Sequence, residues 1–311
     1  MIVDKHISIF RLLQVIWKRQ LAVLIMACSI VIPLPYLYPT GKVLDLTAPL
    51  ILGTAISIFL GFRTNSAYDR WFTARRLWGS MRASSRNQAL VLARIDEKYI
   101  NHNTGKPSKI ARSVMRRMIR RNLAWLWILG RQLKDLPHLQ GAEVLLDKEE
   151  LDSLVGVHNP ALKLLFNQSK DFRIAQSEGQ FYDGEHFELV AIQRELVAAQ
   201  TACEGLKNTP FPTHYTYFTH VFIWLFLILL AFSLPGVENM KYLAIPAVLM
   251  VGWVFFMVEG IGSYMEEPFM NNRNVVPMDA LARSLQIDLM SIALEDVEIP
   301  APIKPIEGAL Y

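Results

Sequence analysis

Residues 20–41, 46–62, 208–237 and 242–258 of this chain carry no Asp, Glu, Lys or Arg. The first of these runs is 22 residues long and the second 17. A hydrocarbon core of about 30 Å takes roughly 20 helical residues at about 1.5 Å each. Uncharged apolar runs of that length predict four transmembrane helices, paired as two hairpins. Composition agrees: of 311 residues 52% are hydrophobic and 19% charged, where a soluble domain carries about 25% charged residues. Mean hydropathy is +0.24. A disordered chain would show the opposite balance. The first run is not a good signal peptide. An amphipathic stretch, Ile7 to Trp17, precedes it, Pro33 and Pro35 fall late in it, and no small-x-small cleavage site stands out.

Lysine and arginine set the orientation. Four precede the first span, 23 lie in 63–207 and three follow the fourth span, while each short loop holds one, Lys42 and Lys241. The positive-inside rule then puts both termini and the middle segment in the cytoplasm. The expected organisation is a cytoplasmic amphipathic segment 1–19, a membrane hairpin 20–62, a cytoplasmic helical region 63–207, a second hairpin 208–260 and a cytoplasmic segment 261–311. In the middle region the apolar spacing predicts helices over 64–99, 107–136, 141–155 and 184–206, the first continuing straight out of the second span. No alternating strand pattern and no internal repeat occur. The fold class is all-α, an integral membrane protein whose four transmembrane helices extend into a helical cytoplasmic region.

Motifs for chemistry are scarce. There is no phosphate loop, no His-Glu-x-x-His, no nucleophile elbow and no dinucleotide fingerprint. The seven histidines share no metal-ligand spacing. Two cysteines, Cys28 and Cys203, give neither a disulfide framework nor a zinc cluster and read as small buried hydrophobes. Arg112, Arg116, Arg117, Arg120 and Arg121 form a basic helix face, which suits either an anionic partner or internal pairing with Asp and Glu. No nucleic-acid partner is expected. No cofactor is expected either, and without an acid, base or nucleophile constellation neither is an enzyme.

The second span holds the most informative pattern. Thr54, Ile58 and Phe62 stand four residues apart on one helical face. The stripe reads as plain helix packing or, with several copies of the helix around an axis, as stacked rings forming a hydrophobic constriction. Arg63, Asp69 and Arg70 follow it as charges flanking a pathway or as members of an ordinary ion-pair cluster.

Three segments carry a family resemblance. They are residues 59–89, with Gly-Phe followed by Tyr-Asp-Arg-Trp and Trp-Gly; residues 201–218, with Cys-Glu and Asn-Thr-Pro leading into the third span; and residues 264–281, with Glu-Pro-Phe and a Val-Pro-x-Asp element. In order and spacing these resemble the bacterial branch of the bestrophins. The resemblance implies an ion channel of the bacterial inner membrane. It implies a homopentamer in the lipid bilayer that passes small monovalent ions through a neck lined by the second span. By position Phe62, Ile58 and Thr54 match the three neck residues. Thr54 stands where the family usually has a bulkier apolar side chain, which implies a shorter or wetter neck. A cytosolic aperture would fall near Phe187, with Leu189 the nearest apolar alternative. Calcium-activated animal members carry an acidic run after the Pro-Phe, whereas here Met270, Asn271, Asn272, Arg273 and Asn274 follow, so no calcium clasp of that type is expected.

The ion's sign stays open, with a cation slightly favoured over chloride. The 23 basic against 16 acidic residues of 63–207 follow from the positive-inside bias alone. The competing reading is a four-span sensor or scaffold whose cytoplasmic helices bind a partner. A secondary transporter fits poorly, for want of more spans and inverted repeats.

Overall fold

The computed structural model describes residues 9–38, 44–98, 100–101, 106–107, 109–180, 182–237, 240–241, 243–270, 276–293 and 298–305. In chain order the helices are α1 (Ile9–Val31), α2 (Leu34–Leu37), α3 (Thr47–Lys98), α4 (Lys109–Leu133), α5 (Lys148–Asp152), α6 (Pro160–Ser177), α7 (Asp183–Asn208), α8 (Thr213–Ser233), α9 (Ala244–Glu266) and α10 (Met278–Ala293). One two-residue antiparallel ladder pairs β1 (Ile100–Asn101) with β2 (Lys106–Pro107). The fold is all-α. Four helical segments are long and apolar enough to cross a membrane: Trp17–Leu37, Thr47–Arg94, His214–Gly236 and Ala244–Glu266.

The described residues fall into two compact units: a membrane unit within Asp4–Trp71 and Pro210–Glu267, and a helical unit within Phe72–Thr209 and Pro268–Tyr311. α3 contributes to both. It runs unbroken for 52 residues, about 78 Å at ~1.5 Å per residue. Thr54 and Ser57 keep their hydroxyls satisfied inside the apolar stretch by donating to the Leu50 and Gly53 carbonyls, 2.8 Å each.

In the membrane unit α1 packs on α8 and α9. The core between the helices is Val23, Ala27, Ile56, Leu60, Leu227, Val248 and Phe256 with their neighbours. Two glycines permit the close approach. A Cβ on Gly53 would lie 2.7 Å from the Phe226 ring, and one on Gly252 would lie 3.2 Å from Leu227. Small residues at such crossings are how membrane helices gain van der Waals contact where lipid removes the hydrophobic drive.

In the helical unit α4 packs against α6, α7 and α10. Leu123, Trp125, Leu126 and Leu129 of α4 are buried, and Leu189 and Leu196 of α7 join them. Lys134 reaches Asp279 at the start of α10, 2.8 Å. The expected helices over 107–136 and 184–206 correspond to α4 and α7. The one expected over 141–155 is mostly turns, with only α5 helical, because Gly141 and Gly156 take φ of 91° and 77°, outside the helical region. Two helices absent from the sequence reading are present, α6 and α10. α6 carries its own start signal: the Asn159 side chain accepts from the Leu162 N–H and Pro160 occupies the first turn.

Candidate functional site

On α3, Thr54, Ile58 and Phe62 are all exposed, Phe62 at 67%. The stripe is therefore a face left open by the single chain. Thr54 donates its proton to the backbone, so it offers the face a hydroxyl oxygen and a methyl. Asp69, seven residues and two turns beyond Phe62, is exposed along the same side.

Arg63 and Arg70 point elsewhere. Arg63 is 1% exposed. Its Nε donates to Glu266 Oε1 at 2.7 Å, and its second terminal nitrogen donates to Ser263 Oγ at 3.0 Å and Thr216 Oγ1 at 3.2 Å. The remaining terminal nitrogen faces Glu259 Oε1 at 3.7 Å. Ser263 donates to that same oxygen at 3.2 Å, and Arg19 of α1 reaches the other Glu259 oxygen at 2.6 Å. The Arg19 guanidinium also lies over the Phe256 ring, 5.6 Å from its centroid. Arg70 Nε donates to the Glu266 backbone carbonyl at 2.6 Å. Two arginines and two glutamates thus tie α1, α3, α8 and α9 together one residue behind Phe62. The charges expected to flank a pathway at Arg63 and Arg70 are engaged within the membrane unit.

The sequence reading gives Glu259 and Glu266 no ionic partners; it ends the uncharged run at Val258 and the second hairpin at residue 260. A signal existed: Glu259, Ser263 and Glu266 recur at four and three residues, one face of a helix. α9 continues through them.

In the helical unit Phe187 is 69% exposed, while Leu189 is 0% exposed. Leu189 is a core residue and presents nothing to an opening, which corrects it as an aperture candidate. On the basic face of α4, Arg117 and Arg121 pair internally. Arg121 Nε meets Glu150 at 2.5 Å, and its Nη1 meets Asp171 at 2.7 Å and Gln168 at 3.1 Å. Burial disfavours its charge, but the bonds to Glu150 and Asp171 outweigh that and raise its pKa. Arg117 shares Asp171 at 3.1 Å. An open groove of about 380 Å³ lies over these pairs. Cys203 is buried, which pushes its thiol up to about 12. Among the described residues no three His, Cys, Asp or Glu side chains are placed to hold a metal ion. Of the stretch compared with a calcium clasp, Asn271 to Asn274 lie outside the described residues.

The sequence profile of the bacterial and fungal bestrophins matches residues 7–291. The chain belongs to the bacterial/fungal bestrophin family. A voltage-dependent anion channel-forming protein, YneE, of Salmonella typhi is 29% identical over 288 residues, 92% of this bestrophin and 89% of that protein. A protein of the same descriptive name from a Nostoc species is 29% identical over 251 residues, covering 76% and 75%. The crystal structure of a bacterial bestrophin homologue from Klebsiella pneumoniae superposes with a TM-score of 0.79 at 24% identity, over 89% of this bestrophin and 98% of that chain. The fold of this bestrophin is therefore the one seen in that homologue.

Proposed function

We propose that this bestrophin is a passive channel for small monovalent ions, a homopentamer whose axis is lined by the Thr54, Ile58 and Phe62 face of α3. That face carries the reading. Three uncharged side chains at one-turn spacing are left exposed by a single chain, on a helix whose other side carries the buried Ile56, Leu60, Arg63 and Ala67. Around a common axis they become a hydroxyl ring, an isoleucine ring and a phenylalanine ring. Apolar rings of this kind close a pore by dewetting. The names of the Salmonella and Nostoc relatives support channel formation. Passive conduction needs no acid, base, nucleophile or cofactor, and no calcium clasp is invoked.

For the ion's sign we favour a cation. The neck carries no charge, and the first exposed charge along its face is Asp69, whereas Arg63 and Arg70 turn toward Glu266. A ring of carboxylates beside a low-dielectric constriction concentrates cations. The second reading, an anion channel, is favoured by the relatives' names. Inner-membrane placement with cytoplasmic termini follows the lysine and arginine distribution. The membrane hairpins would then be 20–62 and 208–260.

The test is a planar bilayer with unequal KCl on its two sides. A reversal potential shifted toward that of potassium supports the cation pathway, and one shifted toward that of chloride supports the anion reading. Ile58→Ala/Phe62→Ala, in protein of unchanged elution volume, raises conductance if these residues form the neck. Unchanged conductance overturns the neck. A bilayer silent for both proteins points to the scaffold reading instead.

A further inference from the structure

We infer that the Arg63, Glu259 and Glu266 cluster is the device that holds the neck shut, with Arg63 as a positioning residue for Phe62. The inference rests on the neck reading above and names what controls it.

Three observations carry it. First, Arg63 is the residue next to Phe62, and its side chain leaves α3 about 100° around the axis from it, into a fully buried site. A helix advances about 100° per residue, so fixing the Arg63 guanidinium fixes the direction in which Phe62 projects. Second, Arg63 is held from two neighbouring helices at once: Glu266 and Ser263 of α9 and Thr216 of α8. A single contact would locate the guanidinium, whereas contacts on separate nitrogens also set its plane. Third, the cluster is not saturated. The nitrogen facing Glu259 at 3.7 Å makes no hydrogen bond, and the hydroxyl of Thr64, the next residue, is buried without one. A small roll of α3 would close the Arg63–Glu259 gap and loosen the Arg63–Glu266 contact. The cluster therefore has a second arrangement within reach, one in which Phe62 no longer points where it does now. Glu259 is already shared with Arg19 of α1, so a displacement of α1 or α9 is felt at α3.

A flux readout separates Arg63 from an ordinary structural ion pair. Glu266→Gln keeps the side-chain size and removes the charge that opposes the roll. Ion flux from liposomes is measured for four full-length proteins: the parent, Glu266→Gln, Ile58→Ala/Phe62→Ala, and the combination. The expected result is a rise in flux of about fivefold or more for Glu266→Gln, the lower end of ordinary coupling between sites. No further rise is expected on the Ile58→Ala/Phe62→Ala background, because the neck it acts through is already open. Equal effects of Glu266→Gln in both backgrounds overturn the inference, as does an unchanged flux in the parent background while Ile58→Ala/Phe62→Ala raises it. If Ile58→Ala/Phe62→Ala leaves flux unchanged, the neck reading falls and takes this one with it. Should Glu266→Gln fail to yield assembled protein, Ser263→Ala serves in its place. It deletes one contact to Arg63 and the relay to Glu259 while both carboxylates remain, and the same non-additive pattern is required of it.

Discussion

Phe62 and Arg63 are sequence neighbours with opposite fates: the phenyl ring is 67% exposed and the guanidinium 1%. The apolar side chain stands open and the charged one is enclosed, the reverse of a soluble helix. The arrangement is stable because the enclosed charge meets two carboxylates and two hydroxyls, and because the exposed ring is left for a lipid or protein neighbour.

Removing a partner of the enclosed charge is expected to be costly. Glu259→Ala leaves Arg63 and Arg19 without that carboxylate, and breaking one side of a buried pair costs about 3–5 kcal/mol. Arg19 is itself 41% exposed, so Arg19→Gln is expected to cost about 1 kcal/mol or less. Thermal unfolding in detergent ranks the two. Equal losses would contradict the burial difference.

Gly53 and Gly61 lie on the same helix and predict opposite outcomes. A Cβ at Gly53 meets the Phe226 ring, whereas one at Gly61 meets nothing within 4 Å. Gly53→Ala is expected to destabilise by about 1–3 kcal/mol through overpacking. Gly61→Ala is expected to be neutral or to stabilise by up to about 1 kcal/mol through helix propensity. Melting temperatures of the two variants check this.

Cys203 is expected to be inert. Burial raises its pKa from 9.0 to about 12, so the folded protein keeps the thiol protonated at pH 8 and the reactive thiolate is absent. In Cys28→Ala protein, maleimide labelling read by mass spectrometry should appear only after denaturation. The sign for stability follows. Folding holds this proton more tightly than the unfolded chain does, so the contribution is complete below pH 9 and is lost as pH rises toward 12.

In the helical unit, Phe187 and Leu189 separate function from packing. Leu189→Ala deletes a fully buried side chain and is expected to cost about 2–5 kcal/mol. Phe187→Ala is expected to leave the melting temperature near that of the parent, since the ring is mostly exposed. If Phe187 edges a cytosolic aperture, its truncation changes conductance in the same preparation, and an unchanged conductance removes it from that role.

Much of this architecture is legible in the sequence. The spans follow from charge-free runs, which lipid enforces more strictly than water enforces any soluble pattern. The long helix was readable because Ala67, Trp71, Ala74, Trp78 and Met81 keep helical spacing past the membrane limit. The stripe of Thr54, Ile58 and Phe62 was readable from spacing, although its exposure was not. The ionic cluster was not legible, because Arg63 and Glu266 are 203 residues apart and one sequence carries no record of which distant charges meet. The turns over 141–155 were misjudged because Leu145, Leu146, Leu151 and Leu154 bury apolar surface at near-helical spacing. The left-handed glycines on either side decide the backbone instead.

The continuity of α3 has a consequence for how this chain can vary. Because one helix carries both Phe62 and the buried Trp78, adding or deleting a single residue between them would rotate one about the axis by about 100° relative to the other. A loop would absorb such a change, but this segment has none. Length variation there should be tolerated only in steps that restore the helical phase, of about seven residues. A one-residue deletion library over 64–77 should yield no functional survivors, while the turns over 136–146 should yield many.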